Sequence, residues 1–234
     1  MESSLQPPLF ERDVAPITLD MALTPEVLEE LAERRGRLIL MIGSRSLLSL
    51  GHLLIAWRLL HQEPVVLIDG ANCIDLYLIS RMARANRQAP GRLLTQLQIS
   101  RAFSMHQLEA VITERLESRL RQGRPLAVIA GLLDLFNDED VPQWEARASL
   151  KKVTGTLRRL ADQGYQIVAL APDLPMNRKG RDGLLSLVIP VSDRLFAFSE
   201  SDGTSALKDV TAEHRQKQWK FPTPSVWRGQ AARR

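Results

Sequence analysis

The stretch RLILMIG at residues 37–43 runs directly into SRSLLSLGHLLIAWRLLH at residues 44–61. The first part is a short apolar run that ends at Gly43, and such a run predicts a buried strand. The second part repeats apolar residues at helical spacing and predicts a helix, although Gly51 lies in its middle. The amino end of a helix that follows such a strand is a favourable place for an anion. This strand–turn–helix unit therefore sets the expected fold and the place of a candidate site.

The rest of the chain continues the alternation of apolar strands and helices. We predict further strands at 64–70, 94–100, 125–130 and 166–171, and helices at 73–86, 104–122 and 142–163. Two more β-like runs follow at 185–191 and 194–198, and we expect one more strand in the last stretch before the basic tail. This alternation predicts an α/β fold with a mainly parallel central sheet, helices on both faces and antiparallel C-terminal edge strands. We expect a flexible tail at 1–20, a core domain at 21–212 and a basic, Trp-containing tail at 213–234.

The composition excludes several classes of protein. The 234 residues have a net charge of +4, with 44% hydrophobic and 25% charged residues, which is ordinary for a globular domain. Cys73 is the single cysteine, so the chain builds neither a disulfide framework nor a multi-cysteine zinc site. The N-terminus lacks a signal-peptide pattern, and the longest apolar stretch is too short and too polar for a bilayer. We therefore expect a cytoplasmic protein without membrane contact, metal or cofactor.

The turn after the first strand departs from the phosphate-binding pattern G-x-x-x-x-G-K-[ST]. In that pattern the glycines let the backbone close around phosphate, the lysine neutralises it and the hydroxyl holds Mg²⁺. Here only Gly43 matches, because Leu48, Ser49 and Leu50 take the positions of the second glycine, the lysine and the Ser/Thr. We define the degenerate nucleotide site as the residues at this place and at the end of the second strand: Gly43, Ser44, Arg45, Ser46, Ser49 and Asp69.

Several other segments occur in the order and spacing of one known superfamily. They are VVLID at 65–69, LQISRAF at 97–103 with Gln107-Leu108 after it, AVIAGLLDLF at 127–136 and EHR at 213–215. Together with the strand–turn–helix unit, they resemble the RecA/RadA recombinase superfamily, including its shorter paralogues and KaiC-like relatives. The resemblance covers roughly residues 20–226 and implies a RecA-like P-loop core in a short, degenerate paralogue.

The resemblance also indicates which chemical groups this chain has lost. Ser49 stands at the position of the phosphate-binding lysine, Ala130 at that of the Mg²⁺-associated aspartate, and Ala71 at that of the catalytic glutamate. Because phosphoryl transfer depends on positioning and electrostatics, these losses predict a pseudo-ATPase without catalytic residues and without tight Mg·ATP binding. Weak anion binding through Arg45 and the helix N-terminus stays open. In the alternative interpretation, residues 44–46 only cap the helix.

Several titratable side chains have a structural interpretation. Asp69 is either a relic metal ligand or, as we prefer, a carboxylate that accepts hydrogen bonds from turn backbone. Asp134 lies within an apolar run, and His52 and His106 lie in predicted helices without a second ligand at suitable spacing. We interpret these three side chains as structural. Cys73 lies in an apolar context and is interpreted as a core residue.

Two regions are candidates for binding DNA or a protein. The resemblance implies DNA-facing loops after the third and fourth core strands. The first, at 137–145, is acidic and would repel phosphate, whereas the second, at 172–183, is basic. Alternatively, the second loop is an ordinary solvated loop. Our DNA-binding candidates are Arg178, Lys179, Arg181, Arg215 and Lys217, and our partner-binding candidates are Trp219, Phe221 and Trp227.

These features lead to one main hypothesis and two alternatives. The main hypothesis is a non-catalytic RecA-fold recombinase paralogue in DNA repair or recombination. It would bind a protein partner, such as a recombinase or a repair factor, and single-stranded DNA, in a homo- or hetero-oligomer. In a bacterium or archaeon it would be nucleoid-associated, and in a eukaryote nuclear. The first alternative is a divergent ATPase that uses Arg45 in place of the lysine. The second is a KaiC-like nucleotide-binding regulatory protein that does not act on DNA.

Overall fold

The computed structural model describes residue 31 and the ranges 36–123, 126–172, 183–211 and 218–222. The strands are β1 (Leu38–Gly43), β2 (Val65–Asp69), β3 (Leu97–Arg101), β4 (Leu126–Ala130), β5 (Gln166–Pro172), β6 (Arg194–Ser201), β7 (Thr204–Asp209) and β8 (Gln218–Pro222). The helices are α1 (Leu47–Leu60), α2 (Leu76–Ala85), α3 (Pro90–Leu94), α4 (Met105–Ala110), α5 (Leu116–Leu120), α6 (Gln143–Asp162) and α7 (Leu185–Val188). A π turn at Val111–Arg115 joins α4 to α5, and 3₁₀ turns lie at Leu135–Asn137 and Ile189–Val191.

The strands form one sheet with the order β3-β2-β4-β5-β1-β6-β7-β8. The strands from β3 to β6 in this order pair parallel to their neighbours. At the β6 side, β7 and then β8 add antiparallel. Parallel neighbours need crossover connections, which explains why helical and strand patterns alternate along the sequence. The predicted α/β class, the mainly parallel sheet and the antiparallel C-terminal edge strands are confirmed.

Alternate residues of the central strands pack into two cores on opposite faces of the sheet. On one face, Ile39 and Met41 of β1 pack in the core that α1, α2 and α3 cover. On the other face, Leu38 and Leu40 pack in the core that α4, α5 and α6 cover. Strands that are buried on both faces have continuous apolar sequences, as the runs in this chain do. The predicted helices on both faces are therefore confirmed.

The C-terminal part of the fold differs from the sequence prediction in two features. Residues 185–191, predicted as a strand, form α7 and a 3₁₀ turn. Both β5 and β6 pair parallel with β1, so the chain between them has to cross the sheet, and this helical segment lies in that crossover. Strand β7 lies in the last stretch before the basic tail, where we predicted one more strand without giving its bounds. Strand β8 pairs with β7, so the sheet continues past residue 212, where we had placed the end of the core domain.

The described helices also bear on membrane contact. None of them combines the length and the apolar character that a membrane span requires. The longest described helix, α6, packs apolar residues such as Leu150 and Leu157 in the core of the sheet.

Candidate functional site

The degenerate nucleotide site lies at the carboxyl edge of the parallel strands. Gly43 ends β1, Asp69 ends β2 and Ala130 ends β4, so these residues lie at the same edge of one sheet. From this edge, β1 leads to α1 on one face of the sheet. Its neighbour β5, and β4 beyond it, lead to helices on the other face. Loops that leave adjacent parallel strands toward opposite faces open a crevice, where α/β proteins bind ligands. The structure therefore places the predicted residues where a ligand would be expected.

The turn after β1 is short and its backbone is already hydrogen-bonded. The N–H groups of Leu47, Leu48 and Ser49 donate to the carbonyls of residues 44, 45 and 46, respectively. These amides are the ones that a wider loop would turn toward a phosphate, and here they are internally satisfied. Gly43 has a φ of +145°, and a Cβ at this position would lie 1.9 Å from the carbonyl oxygen of Phe198 on β6. The turn is therefore packed tightly against the neighbouring strand.

The cation of the turn is paired with an acid from another loop. The Arg45 guanidinium donates to the Asp134 carboxylate at 3.0 Å, and the Arg45 side chain is 52% exposed. Burial raises the pKa of Asp134, and the charge and hydrogen bond of Arg45 act against that rise. An anionic ligand at Arg45 would thus compete with a carboxylate that is already present.

A second acid lies at the amino end of α1. The Ser46 hydroxyl donates at 2.6 Å to the carboxylate of Glu200, which lies near the end of strand β6. Ser46 is the N-cap of α1, but its side chain makes no capping hydrogen bond. The amino end of a helix favours negative charge, and Glu200 supplies that charge from within the chain. The alternative interpretation that residues 44–46 only cap the helix is therefore incomplete.

Asp69 holds the turn after β2. It is fully buried and accepts hydrogen bonds from the N–H groups of Cys73 at 3.0 Å and Ile74 at 3.3 Å. The Arg101 guanidinium donates to the same carboxylate at 3.3 Å. The preferred interpretation of Asp69 as a backbone acceptor is confirmed. No group of three or more potential metal ligands occurs among the described residues.

Closely packed backbone lies at Ala71 and Ala130, where the resemblance implies acidic residues. The N–H groups of Gly70 and Ala71 donate to the Ala130 carbonyl at 2.9 and 3.1 Å, which ties the ends of β2 and β4 together. A Cβ on Gly131 would lie 2.5 Å from the Ala71 Cβ, so these two residues are already in close contact. Ser49, at the lysine position, is buried within α1. At Ser49, Ala71 and Ala130 the chain therefore carries neither an acidic nor a basic side chain.

Near the site, burial disfavours the charged forms of two groups, the Cys73 thiol and the His52 imidazole. Burial raises the pKa of the Cys73 thiol to about 12, and the Asp69 charge adds to this effect, so the thiol stays protonated at neutral pH. His52 on α1 is 2% exposed, and neither ring nitrogen has a hydrogen-bond partner among the described residues. Burial lowers the pKa of His52, while Asp75 and Asp69 oppose this shift. His106, in contrast, is an exposed residue of α4 and lies 3.5 Å from Glu145.

The predicted binding surfaces are described only in part. Arg178, Lys179, Arg181, Arg215, Lys217 and Trp227 lie outside the described residues. Trp219 and Phe221 belong to β8, where their rings lie 6.2 Å from Phe196 and 6.5 Å from Phe198. Phe221 is only 3% exposed, so it is a core residue and the prediction of a partner-binding Phe221 is corrected. Trp219 is partly buried against the same core.

Sequence reasoning did not identify two residues that complete the site. Arg101 lies opposite Asp69 in the register of β2 and β3. The signal in the sequence is that Asp69 is next to the end of one predicted strand and Arg101 directly follows another. Glu200 lies near the end of β6, beyond the predicted bounds of that strand, and no sequence signal links it to Ser46.

Comparisons with known proteins do not assign the chain to a family. No protein-family model matches the chain, and no curated protein matches it. The chemistry of the site is therefore inferred from its own residues. These are the hydrogen-bonded turn after β1, the Arg45–Asp134 pair and the backbone hydrogen bonds that join the ends of β2 and β4.

Proposed function

We propose that this chain is a non-catalytic RecA-fold recombinase paralogue that acts in DNA repair or recombination. In this proposal it binds a protein partner, with single-stranded DNA as a second ligand. The α/β sheet with its strand–turn–helix unit at the carboxyl edge is compatible with such a core. The segments that resemble the superfamily support the choice of family, and the site geometry supports the absence of catalysis.

The pairing of Arg45 with Asp134 is the observation that carries the non-catalytic part of the proposal. A phosphoryl-transfer site needs uncompensated positive charge aimed at the transferred group, because catalysis there is mostly electrostatic. Here the candidate cation faces a carboxylate, and Glu200 lies at the helix end where phosphate would sit. These internal acids take the role that an anionic substrate would otherwise have.

The first experiment measures ATP hydrolysis by the full chain, with and without single-stranded DNA. We expect no turnover above that of a matched Arg45→Ala variant. Robust turnover that the Arg45→Ala substitution abolishes would overturn the proposal and favour the divergent ATPase. A saturable, Mg²⁺-dependent thermal shift with ATP would point the same way.

The second experiment tests the DNA part through the basic loop. Binding of a fluorescent single-stranded oligonucleotide is measured over a range of salt concentrations. We expect the triple substitution of Arg178, Lys179 and Arg181 by glutamine to weaken binding and to lower the salt slope by about 2, because each phosphate contact contributes roughly 0.7. The matched control replaces three exposed arginines of the α2–α3 face: Arg84, Arg87 and Arg92. No binding at low salt would favour the KaiC-like regulatory alternative.

A further inference from the structure

A groove lies on the outer surface of the helical layer formed by α4 and α6, on the side that faces away from the sheet. It has a volume of about 360 Å³ and runs between α4, the π turn and α6. Among its lining residues are His106, Glu109, Glu114, Trp144, Glu145 and Lys152. This volume is at the lower end for ligand sites, so it suits one or two side chains of a partner. The degenerate nucleotide site contributes no residue to it.

The π turn at Val111–Arg115 supplies one wall of the groove. Thr113 and Glu114 of this turn line it directly. A π turn widens the helix by one residue, and such turns recur at functional sites. The described helix is thus interrupted at the place where the groove lies.

The polar groups of the groove are mainly acidic. Lys152 donates to Glu109 at 2.8 Å, and His106 lies 3.5 Å from Glu145. Glu114 adds a further carboxylate, and the exposed acidic residues 138–140 precede the amino end of α6. In the lining, the three carboxylates of Glu109, Glu114 and Glu145 face the single ammonium group of Lys152. A cationic ligand is favoured there, whereas the phosphates of a nucleic acid would be repelled.

An exposed aromatic ring completes the surface. Trp144, in the first turn of α6, is 73% exposed although it lines the groove. Tryptophan binds cations over its ring face, and the planar guanidinium of arginine stacks there better than an ammonium group. Tryptophan is also enriched among the residues that carry most of the energy of protein interfaces.

From the charge of this lining and the exposed Trp144 ring, we infer that the groove binds a basic, arginine-containing segment of a partner protein. An arginine of that segment stacks on Trp144 while its neighbours pair with Glu114 and Glu145. The inference goes beyond the proposed function, since it holds whether or not the chain is a recombinase paralogue.

The test uses the full chain and two labelled probes, a short peptide of alternating arginine and serine and the same peptide with lysine. Fluorescence anisotropy measures their affinities. We expect the arginine peptide to bind more tightly than the lysine peptide. Trp144→Ala should weaken arginine-peptide binding about threefold to fivefold, as the loss of an exposed cation–π contact predicts. Ala148→Arg, which puts a positive charge into the groove at an exposed position, should weaken it as well.

A matched pair of substitutions separates the groove from general charge attraction. Glu114→Gln and Asp202→Asn each remove one negative charge, but Asp202 lies in the turn between β6 and β7. We expect weaker binding only for Glu114→Gln. Equal effects of the two variants, or an unchanged affinity in Trp144→Ala, would overturn the inference. Binding that appears only after Arg228, Arg233 and Arg234 are replaced by glutamine would also overturn it, because the chain's own basic end would then be the occupant.

Discussion

The Arg45 guanidinium lies 3.0 Å from the Asp134 carboxylate, although 89 residues separate the two in the sequence. The pair joins the turn after β1 to the loop after β4 and neutralises the cation of the degenerate nucleotide site. Because Arg45 is half exposed, solvent screens this attraction and the pair adds little to stability. Its consequence is for binding, since an incoming anion has to displace an acid that the chain itself provides.

Removing the acid of this pair should make the site more receptive to anions. We expect Asp134→Asn to raise the affinity for ATP about fivefold, the effect of roughly 1 kcal/mol from one screened charge at this distance. Isothermal titration calorimetry would measure it. Asp162→Asn, which removes an acid from the Arg158 pair on α6, is the matched control and should leave the affinity unchanged. The same affinity in both variants would mean that Arg45 does not contact bound nucleotide.

The close approach of Gly43 to β6 predicts a large loss of stability on substitution. In Gly43→Ala the new methyl group would overlap the Phe198 carbonyl oxygen, and φ is positive, so the free energy of unfolding should fall by more than about 2 kcal/mol. Gly155→Ala is the control, because Gly155 lies in α6 and a Cβ there meets no atom within 4 Å. It should stabilise by about 0.5–1 kcal/mol. Urea unfolding of both variants would check this, and a Gly43→Ala variant as stable as the parent would contradict it.

The core of the fold was predictable because its signals are local. Each buried parallel strand is a continuous apolar run, and each long covering helix repeats its apolar residues with helical spacing. Strand β7 lacks such a signal. Its buried positions are Ser205, Leu207 and Asp209, so two of the three inward residues are polar. The run at 185–191 is apolar but helical, because a short apolar segment alone does not distinguish a strand from a helix.

The candidate site was predictable in place but not in its contacts. The sequence located the turn at 43–46 and the end of β2, because both follow apolar runs. It gave no partner for Asp134, since the pairing with Arg45 depends on the strand order. Likewise, the contact between Ser46 and Glu200 depends on β6 pairing beside β1. Long-range charge pairs of this kind follow from topology rather than from spacing.

The buried ion pair between Arg194 and Asp209 should be important for stability. Both side chains are almost fully buried. Burial acts against ionisation of Asp209, but hydrogen bonds from Thr211 and Arg194 outweigh it and lower the pKa of Asp209. Asp209→Ala would remove the carboxylate that accepts from this buried arginine and should cost about 3–5 kcal/mol. Asp162→Ala breaks an exposed pair and should cost at most about 0.5 kcal/mol. Similar midpoints of denaturant unfolding for the two variants would contradict this contrast.

His52 should make the fold sensitive to mild acid. Burial lowers its pKa in the folded chain below 6.5, despite the opposing charges of Asp75 and Asp69. The unfolded chain then binds more protons, so the free energy of unfolding should fall as the pH drops below about 6.5. Leucine in its place should remove this dependence between pH 7.5 and 5.5. It should also stabilise by about 1 kcal/mol at neutral pH, because two buried ring nitrogens without a hydrogen-bond partner among the described residues are lost. Urea unfolding at both pH values measures the effect, with exposed His106→Gln as the control. If His52→Leu and the parent lose the same stability on acidification, the histidine is not the group that titrates.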